Sequence, residues 1–345
     1  MRAPRSSDRS RAPALPEARG PLTEGLFALL RGEARSIPQE PGCTPNEALA
    51  DHDLQLALYC CYELHYRSFA NVRDELEWDP TLLGFRAELE RRFEAGLVAA
   101  VAREPIEADT VGDLLFDLAG RDRGPSLSRR LELGGTREQF QEFVIHRSAY
   151  QLKEADPHTW GIPRLQGAPK AAMVEIQADE YGSGRLERMH SELFAQTMRA
   201  LGLDDSYGAY VGRLPGVTLA TVNLISLFGL HRRLRGALVG HLAMFEITSP
   251  QPNRRYAAAL RRLGLADEAI DFYDEHVVAD SVHENVAAYD LAQKLAEQRP
   301  RLADDIVWGA RALLDLEGRF ANAMLAAWDA GVSSLRADVG LSLSA

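Results

Sequence analysis

The sequence predicts an all-α protein, and three observations support this fold class. Apolar residues recur at helical spacing in nearly every long segment. Runs with period-two alternation and β-branched enrichment, which would indicate strands, are nearly absent. No repeat of about 20 to 50 residues is visible, so a solenoid is not expected. We therefore expect one compact bundle of helices.

The first half of the chain contains recognisable helix start signals. Residues 46–69 have the apolar spacing of a buried helix, with Asn46 as a candidate N-cap. Asp79 followed by Pro80 predicts the next helix, which runs to residue 101, because Asp caps well and Pro suits the first helical position. Shorter helices are predicted over 109–120 and 136–151.

The second half begins with a loop over 155–170 that is rich in turn residues. The helical segments predicted after it are 170–200, 216–249, 252–263, 267–297 and 300–330. Residues 1–20 are rich in Arg, Ser, Pro and Ala and predict a disordered N-terminal tail. With a short C-terminal tail at 333–345, the predicted folded domain spans residues 21–332.

Composition excludes several classes of function. The chain has 345 residues, is 46% hydrophobic and 26% charged, and carries a formal net charge of −11. This acidity argues against nucleic acid or an anionic membrane surface as the main partner, because both select for Lys and Arg clusters. No run approaches the roughly 18 apolar residues of a membrane span. The N-terminus lacks the apolar stretch of a secretory signal, so we expect a cytoplasmic protein.

The cysteines do not indicate a site. Cys43, Cys60 and Cys61 include no CxxC pair, and the adjacent Cys60 and Cys61 cannot easily bond to each other. A disulfide framework and a structural zinc site are both disfavoured. We interpret them as idle thiols in a reducing compartment.

The segment "EHVVADSVHE" carries His276, Asp280 and His283 at intervals of four and three residues. On a helix these side chains would lie within about 40° of one another, because each residue advances about 100°. Imidazole and carboxylate on one stripe suit a metal ion, although a solvated polar face would give the same pattern.

A second stretch, "EIQADEYGSGRLERMH", offers Glu180, Glu187 and His190. Glu187 and His190 have the i, i+3 spacing used by carboxylate-bridged di-iron bundles. Glu63, an acidic residue in an otherwise apolar helix, is a further candidate ligand, since an unpaired buried carboxylate is costly. Such oxygen and nitrogen donors without thiolate favour iron or manganese. Glu180 alternatively lies outside the ligand set or faces solvent.

The order of these residues resembles the haem-oxygenase-like di-iron oxidases and oxygenases, often labelled iron-containing redox enzymes. The motifs are Glu63, then Glu180-x6-Glu187-x2-His190, then His276-x3-Asp280-x2-His283, and the resemblance covers about residues 45–330. It implies a bundle of about seven core helices with short accessory helices. It also implies that these seven residues hold two irons and that dioxygen is a co-substrate.

The resemblance implies an oxidoreductase but leaves the reaction open. Some members of the family cleave or decarboxylate amino or fatty acids to alkenes, and others N-oxygenate amines, guanidines or amino-heterocycles in natural-product biosynthesis. The carboxylate at Glu180 resembles the N-oxygenase pattern, so we favour an N-oxygenase that makes an N-hydroxy or nitro product. One iron would be held mainly by Glu63, Glu180, His190 and His283, and the other by Glu187, His276 and Asp280.

The expected partners are a small-molecule amine and an external electron donor, because re-reduction of the irons needs electrons from outside. A homodimer is an alternative that the sequence leaves open. A non-enzymatic iron- or haem-binding bundle remains the rival of another class.

Overall fold

The structure of the protein is a computed structural model that describes residues 12–37 and 44–337, apart from the side chain of Asp280. Throughout these two ranges the regular structure is helical, and they contain no β-strand. The all-α prediction is therefore confirmed. None of the helices in these ranges is both long and apolar enough to cross a membrane.

Sixteen α-helices are numbered here in chain order over the described ranges. Those of the first half are α1 (Pro21–Leu30), α2 (Pro45–Ala48), α3 (His52–Glu63), α4 (Pro80–Ala100), α5 (Val111–Arg121), α6 (Leu127–Gly134), α7 (Arg137–Gln151) and α8 (Asp156–Thr159). Those of the second half are α9 (Ala168–Glu180), α10 (His190–Ala200), α11 (Gly216–Leu230), α12 (Arg235–Thr248), α13 (Pro250–Arg262), α14 (Asp271–Asn285), α15 (Lys294–Gln298) and α16 (Ala303–Asp329). A π-helical segment, Val286–Gln293, joins α14 to α15.

Aspartate caps fix where two of the N-terminal helices begin. The Asp79 carboxylate accepts hydrogen bonds from the amides of Thr81 and Leu82, so the predicted start of α4 is confirmed. Asp51 caps α3 in the same way. The helix predicted over 46–69 is consequently divided, because a capping residue has non-helical backbone angles.

The centre of the molecule is formed by the close packing of α12 against α16. A Cβ atom at Gly240 would lie only 1.7 Å from the Ile306 carbonyl oxygen, and one at Gly309 would lie 2.1 Å from that of Ala237. Glycine at both positions therefore lets the two backbones touch. This contact fixes α12, whose last turns carry Glu246.

A second buried cluster holds α14 in place. Phe140 of α7, Phe194 of α10 and Tyr256 of α13 belong to this cluster, together with Phe272 and Tyr273 of α14 itself. The rings meet edge to face or tilted, with centroids 5 to 6 Å apart for Phe140–Tyr273, Phe194–Phe272 and Tyr256–Tyr273. Three helices thus orient the segment that carries His276 and His283.

The folded part extends beyond the predicted limits of 21 and 332. The Ala70 amide donates to the Pro13 carbonyl oxygen at 2.7 Å. At the other end, Leu335 is buried, and the Arg336 amide donates to the Arg213 carbonyl oxygen at 2.9 Å. Residues 12–20 and 333–337 therefore contact the helical body, while the remainder of both predicted tails lies outside the described residues.

Candidate metal centre

The connection between α9 and α10 differs from the continuous helix predicted over 170–200. The chain leaves the helix after Glu180, and three successive residues, Gly182, Ser183 and Gly184, adopt φ values of 61°, 52° and 79°. These left-handed conformations cannot continue a right-handed helix. The predicted angular position of Glu187 is therefore wrong, and its side chain is exposed.

The same break brings His190 beside Glu180. Helix α10 begins at His190, and the Nδ1 atom of its imidazole lies 2.9 Å from Glu180 Oε2. A continuous helix would have placed these two residues about 15 Å apart along its axis, at 1.5 Å per residue. The turn over residues 181–189 thus joins two donors that a straight helix would separate.

Four buried side chains form the first group of donors. Glu154, Glu180, His190 and His276 each direct a carboxylate oxygen or imidazole nitrogen to one region, where these atoms all lie within 4.8 Å of one another. The His190 and His276 rings approach to 4.3 Å between centroids. Glu154 follows the end of α7, so the group draws on four separate segments of the chain.

Glu180 also belongs to a second group, with Glu246 and His283. The donor atoms of these three buried residues again lie within 4.8 Å of one another. His283 Nδ1 is 3.6 Å from Glu246 Oε2. The structure therefore contains two adjacent donor groups with the Glu180 carboxylate in common.

Two of the histidines are oriented by acceptors outside the groups. His276 Nδ1 lies 2.7 Å from the Phe272 carbonyl oxygen, which fixes the proton on Nδ1 and turns Nε2 toward Glu154. His283 Nε2 lies 3.0 Å from Asp179 Oδ2, which turns Nδ1 toward Glu246. Metal-bound histidines characteristically donate their second nitrogen to such an acceptor.

Several buried donor atoms make no hydrogen bond within the described structure. They include Glu180 Oε2, His190 Nδ1 and His283 Nδ1. Although Glu180 Oε2 and His190 Nδ1 are close, their geometry is not that of a hydrogen bond. Buried polar atoms of this kind are costly unless a ligand satisfies them. A donor set of carboxylate and imidazole without thiolate fits iron.

The electrostatics of the groups favour a bound cation. Burial acts to raise the pKa of Glu180, but the neighbouring His190, His276 and His283 outweigh it and lower this pKa to about 2. The pKa of Glu154 is raised by burial and by the Glu180 charge. Two carboxylates that repel each other at one buried place would both be stabilised in the ionised form by a cation.

Glu63 is not part of either group, which corrects the predicted ligand set. Its carboxylate accepts a hydrogen bond from the Lys153 ammonium at 2.9 Å and another from the Tyr207 hydroxyl at 2.6 Å. A buried carboxylate needs a partner, and the partner of Glu63 is a buried lysine.

The predicted division of the ligands between two irons is also different in the structure. His190 shares its group with His276, whereas His283 lies in the other group. Asp280 lies on α14 between His276 and His283, and its side chain falls outside the described residues, so its ligand role stays a prediction.

Sequence reasoning missed Glu154 and Glu246. Glu246 had a usable signal, since it is the only acidic residue in the apolar segment "GALVGHLAMFEITS", and this is the same kind of signal that selected Glu63. Glu154 had no such signal, because it lies in the connection after α7. Helical spacing does not predict where a side chain points in such a connection.

These features define a class: an all-α protein with a buried carboxylate–imidazole centre suited to iron. The family model for iron-containing redox enzymes matches residues 141–318, slightly more than half of the chain, and every donor of the two groups lies inside this range. The chain belongs to this haem-oxygenase-like family of iron-containing redox enzymes. Membership of this family supports an oxidoreductase role.

Part of the chain is also similar to a curated protein. Nitrosourea synthase from Streptomyces achromogenes subsp. streptozoticus is 26% identical over 189 residues, which are 55% of this chain. The matched part is 40% of that protein, so the chain spans less than half of the relative's length.

Proposed function

We propose that the protein is a non-haem di-iron, dioxygen-dependent N-oxygenase that converts an amine, guanidine or amino-heterocycle nitrogen to an N-hydroxy or nitro product. The observation that carries this proposal is the sharing of Glu180 by two buried donor groups. A single iron would need only one of the groups. Two irons would be held by both groups, to which Glu180 contributes in common.

For the first oxidation the reaction balances as R–NH2 + O2 + 2 e− + 2 H+ giving R–NHOH + H2O. Bound iron supplies the redox chemistry that activates dioxygen. Electrons must come from an external donor, and protons must reach the buried donors. A small space beside Glu154, Glu180 and His276 has a volume of about 10 Å³, room for about one water molecule.

The residues around this space can hold and pass protons. The Tyr150 hydroxyl lines it and lies 3.4 Å from His158 Nδ1, while His158 Nε2 lies 3.1 Å from His241 Nδ1. Burial raises the pKa of Tyr150 well above its ordinary value, so the hydroxyl keeps its proton. Burial lowers the pKa of His158 to about 4, so its imidazole stays neutral near pH 7.

Oxidation at nitrogen has support from the relative and from Glu180. The relative's name refers to a nitrosourea, a compound with an oxidised nitrogen. The carboxylate at Glu180 resembles the N-oxygenase pattern within the family. The alternative with the same centre is hydrogen abstraction from carbon, with alkene formation or C–C cleavage of an amino or fatty acid.

A non-enzymatic iron- or haem-binding role fits the donors less well. Haem needs one or two axial ligands, whereas six buried carboxylates and imidazoles converge here. Three of them are carboxylates, which suit bare iron ions better than a porphyrin-bound iron.

The test is product analysis with isotopically labelled dioxygen. The iron-loaded protein with a chemical reductant is given a panel of amines, and mass spectrometry follows the label. We expect label on nitrogen, loss of the product in His276→Ala, and normal product in Glu187→Ala, whose exposed side chain lies outside both groups. Alkene or carbonyl products without oxygen on nitrogen would support the alternative. Iron binding with no product from any substrate would support the non-enzymatic role.

A further inference from the structure

A cavity of about 620 Å³ reaches from the surface to the metal centre. Its outer end includes the exposed residues Gly120 and Asp122, and its inner end includes the buried His276, a donor of the first group. The volume lies within the range of roughly 300–1,000 Å³ that is typical of small-molecule sites. The cavity is therefore the route by which a substrate can reach the donors.

Aromatic side chains form part of the walls of this cavity, among polar and aliphatic ones. Eight Phe and Tyr residues line it. At the inner end the Phe272 ring lies 4.3 Å from the His276 ring, and further out the Phe143 and Tyr256 rings lie 4.5 Å apart. Such walls favour an apolar or aromatic molecular body, because burying it releases water from apolar surface on both sides.

Most of the buried charge on the walls is already neutralised. Arg147 and Glu317 form a two-pronged ion pair with distances of 2.8 and 2.6 Å. This pair leaves little capacity for a charged ligand. Asp122 accepts the Gly124 amide at the outer end, and Glu284 adds a half-buried carboxylate on α14.

Arg255 is the cation on the walls that keeps capacity for an anion. Its Nη1 atom lies 3.3 Å from Ser126 Oγ and 3.5 Å from Ser128 Oγ, which are neutral acceptors. The carboxylate of Glu132 forms a partly exposed ion pair with its Nε atom at 3.6 Å, which leaves the two Nη atoms without a carboxylate partner among the described residues. A half-buried guanidinium with two hydroxyls beside it suits a ligand carboxylate, which it can bind through two parallel N–H donors.

We propose that the substrate is an amine with a large apolar or aromatic body and a carboxylate that Arg255 binds. This inference rests on the proposed function for the identity of the reacting nitrogen. It goes beyond that function by naming the substrate class and the residue that selects it. Polar guanidines without an apolar body are then poor ligands.

Calorimetric binding under anaerobic conditions tests the carboxylate. The iron-loaded protein is titrated with phenylalanine, with phenethylamine, which lacks only the carboxylate, and with arginine, whose body is polar. We expect phenylalanine to bind the most tightly. Arg255→Gln should weaken phenylalanine binding about tenfold or more and leave phenethylamine unchanged, since a charge-assisted hydrogen bond is lost. Arg254→Gln, a neighbouring exposed arginine, is the matched control.

Filling the cavity tests the apolar body independently. Gly318 lines the cavity on α16, and a Cβ atom there would meet no atom within 4 Å. Gly318→Leu therefore adds a side chain at a position where its Cβ atom meets no neighbour, and leucine also favours the helix. Gly84→Leu, at an exposed helical position where a Cβ atom is equally unobstructed, is the control. We expect weaker phenylalanine binding only in Gly318→Leu, with neither variant less stable.

Equal binding of phenylalanine and phenethylamine, or an Arg255→Gln variant that binds phenylalanine normally, would overturn the role of the carboxylate. Normal binding in Gly318→Leu would overturn the cavity as the site. These measurements involve no turnover, so they are independent of the reaction. If the ligands bind as expected but no bound amine is oxidised, the proposed function is contradicted. The proposed class of ligand would still stand.

Discussion

The Lys153 ammonium lies 2.9 Å from the Glu63 carboxylate, and the two side chains are only 1% and 0% exposed. The Tyr207 hydroxyl donates to the other oxygen of Glu63, and the ammonium also lies 4.3 Å from the centre of the Tyr66 ring. Lys153 immediately precedes Glu154, the donor of the first group. The ion pair therefore anchors the connection that carries this donor.

Removing one partner of this pair should destabilise the protein more than removing both. Lys153→Met leaves a buried carboxylate without its cation, and we expect it to lower the free energy of unfolding by about 3–5 kcal/mol. The double variant Glu63→Leu/Lys153→Met should cost less than the single one, because no charge stays buried. Urea unfolding measures all of these, and a double variant as unstable as the sum of the singles would contradict the account.

The iron content of variants should distinguish the residues of the two donor groups from Glu187, which only the helical spacing suggested as a ligand. Glu246→Ala removes a donor of the second group only, so we expect iron bound after desalting to fall from about two per chain to about one. Glu187→Ala should keep the full amount, because this side chain is exposed and belongs to neither group. The reverse pattern would restore the assignment based on helical spacing.

The Asp179–His283 contact should tune metal affinity without supplying a ligand. Asp179 Oδ2 holds His283 Nε2 at 3.0 Å and so directs Nδ1 toward Glu246. We expect Asp179→Ala to weaken Mn²⁺ binding at the second group by about 10- to 100-fold. Asp179→Asn should recover part of the loss, and Glu175→Ala, an exposed position on the same helix, should have no effect. Unchanged affinity in Asp179→Ala would contradict the orienting role.

Acid should destabilise the metal-free protein partly through His146. Burial lowers the pKa of this histidine from its ordinary 6.5 to about 3, and its nitrogens contact Thr218 Oγ1 at 2.8 Å and Ser334 Oγ at 3.0 Å. Between these two pH values the unfolded chain binds a proton that the folded protein does not, so stability falls as the pH falls.

His146→Gln should remove this part of the acid sensitivity. We expect its stability deficit relative to the original protein to shrink between about pH 7 and about pH 4.5. His231→Gln, which affects a half-buried histidine 2.9 Å from Glu90, provides a comparison. A deficit in His146→Gln that stays constant over this range would show that His146 does not set the acid response.

Local sequence signals predicted the all-α class, and four of the six residues in the two groups were among the predicted ligands. Helices α1 and α6 lie in no predicted helix, and the helix predicted over 216–249 is divided into α11 and α12. His276 and His283 lie in the two groups on one side of α14, because this helix is regular over both residues as the spacing assumes. The helical spacing assigned to Glu187 failed because Gly182 and Gly184 take left-handed conformations. Those conformations depend on how the chain folds back between α9 and α10. A helical wheel assumes a continuous helix and gives no information about such a turn.

The remaining errors concern tertiary partners. Glu63 and Glu246 each follow a run of mainly apolar residues on a helix, and local spacing does not distinguish them. Only packing shows that Glu63 meets Lys153, whereas Glu246 meets His283. Glu154 belongs to a connection between helices, whose direction is set by the elements on both sides.

The most direct test of a two-metal centre is an anaerobic ferrous titration followed by Mössbauer spectroscopy in an applied field. We predict two irons per chain whose spins are coupled, because the two donor groups share the Glu180 carboxylate. In Glu180→Ala the coupling should disappear, while Glu175→Ala retains it. One iron per chain, or two irons without coupling in the unaltered protein, would contradict the shared centre.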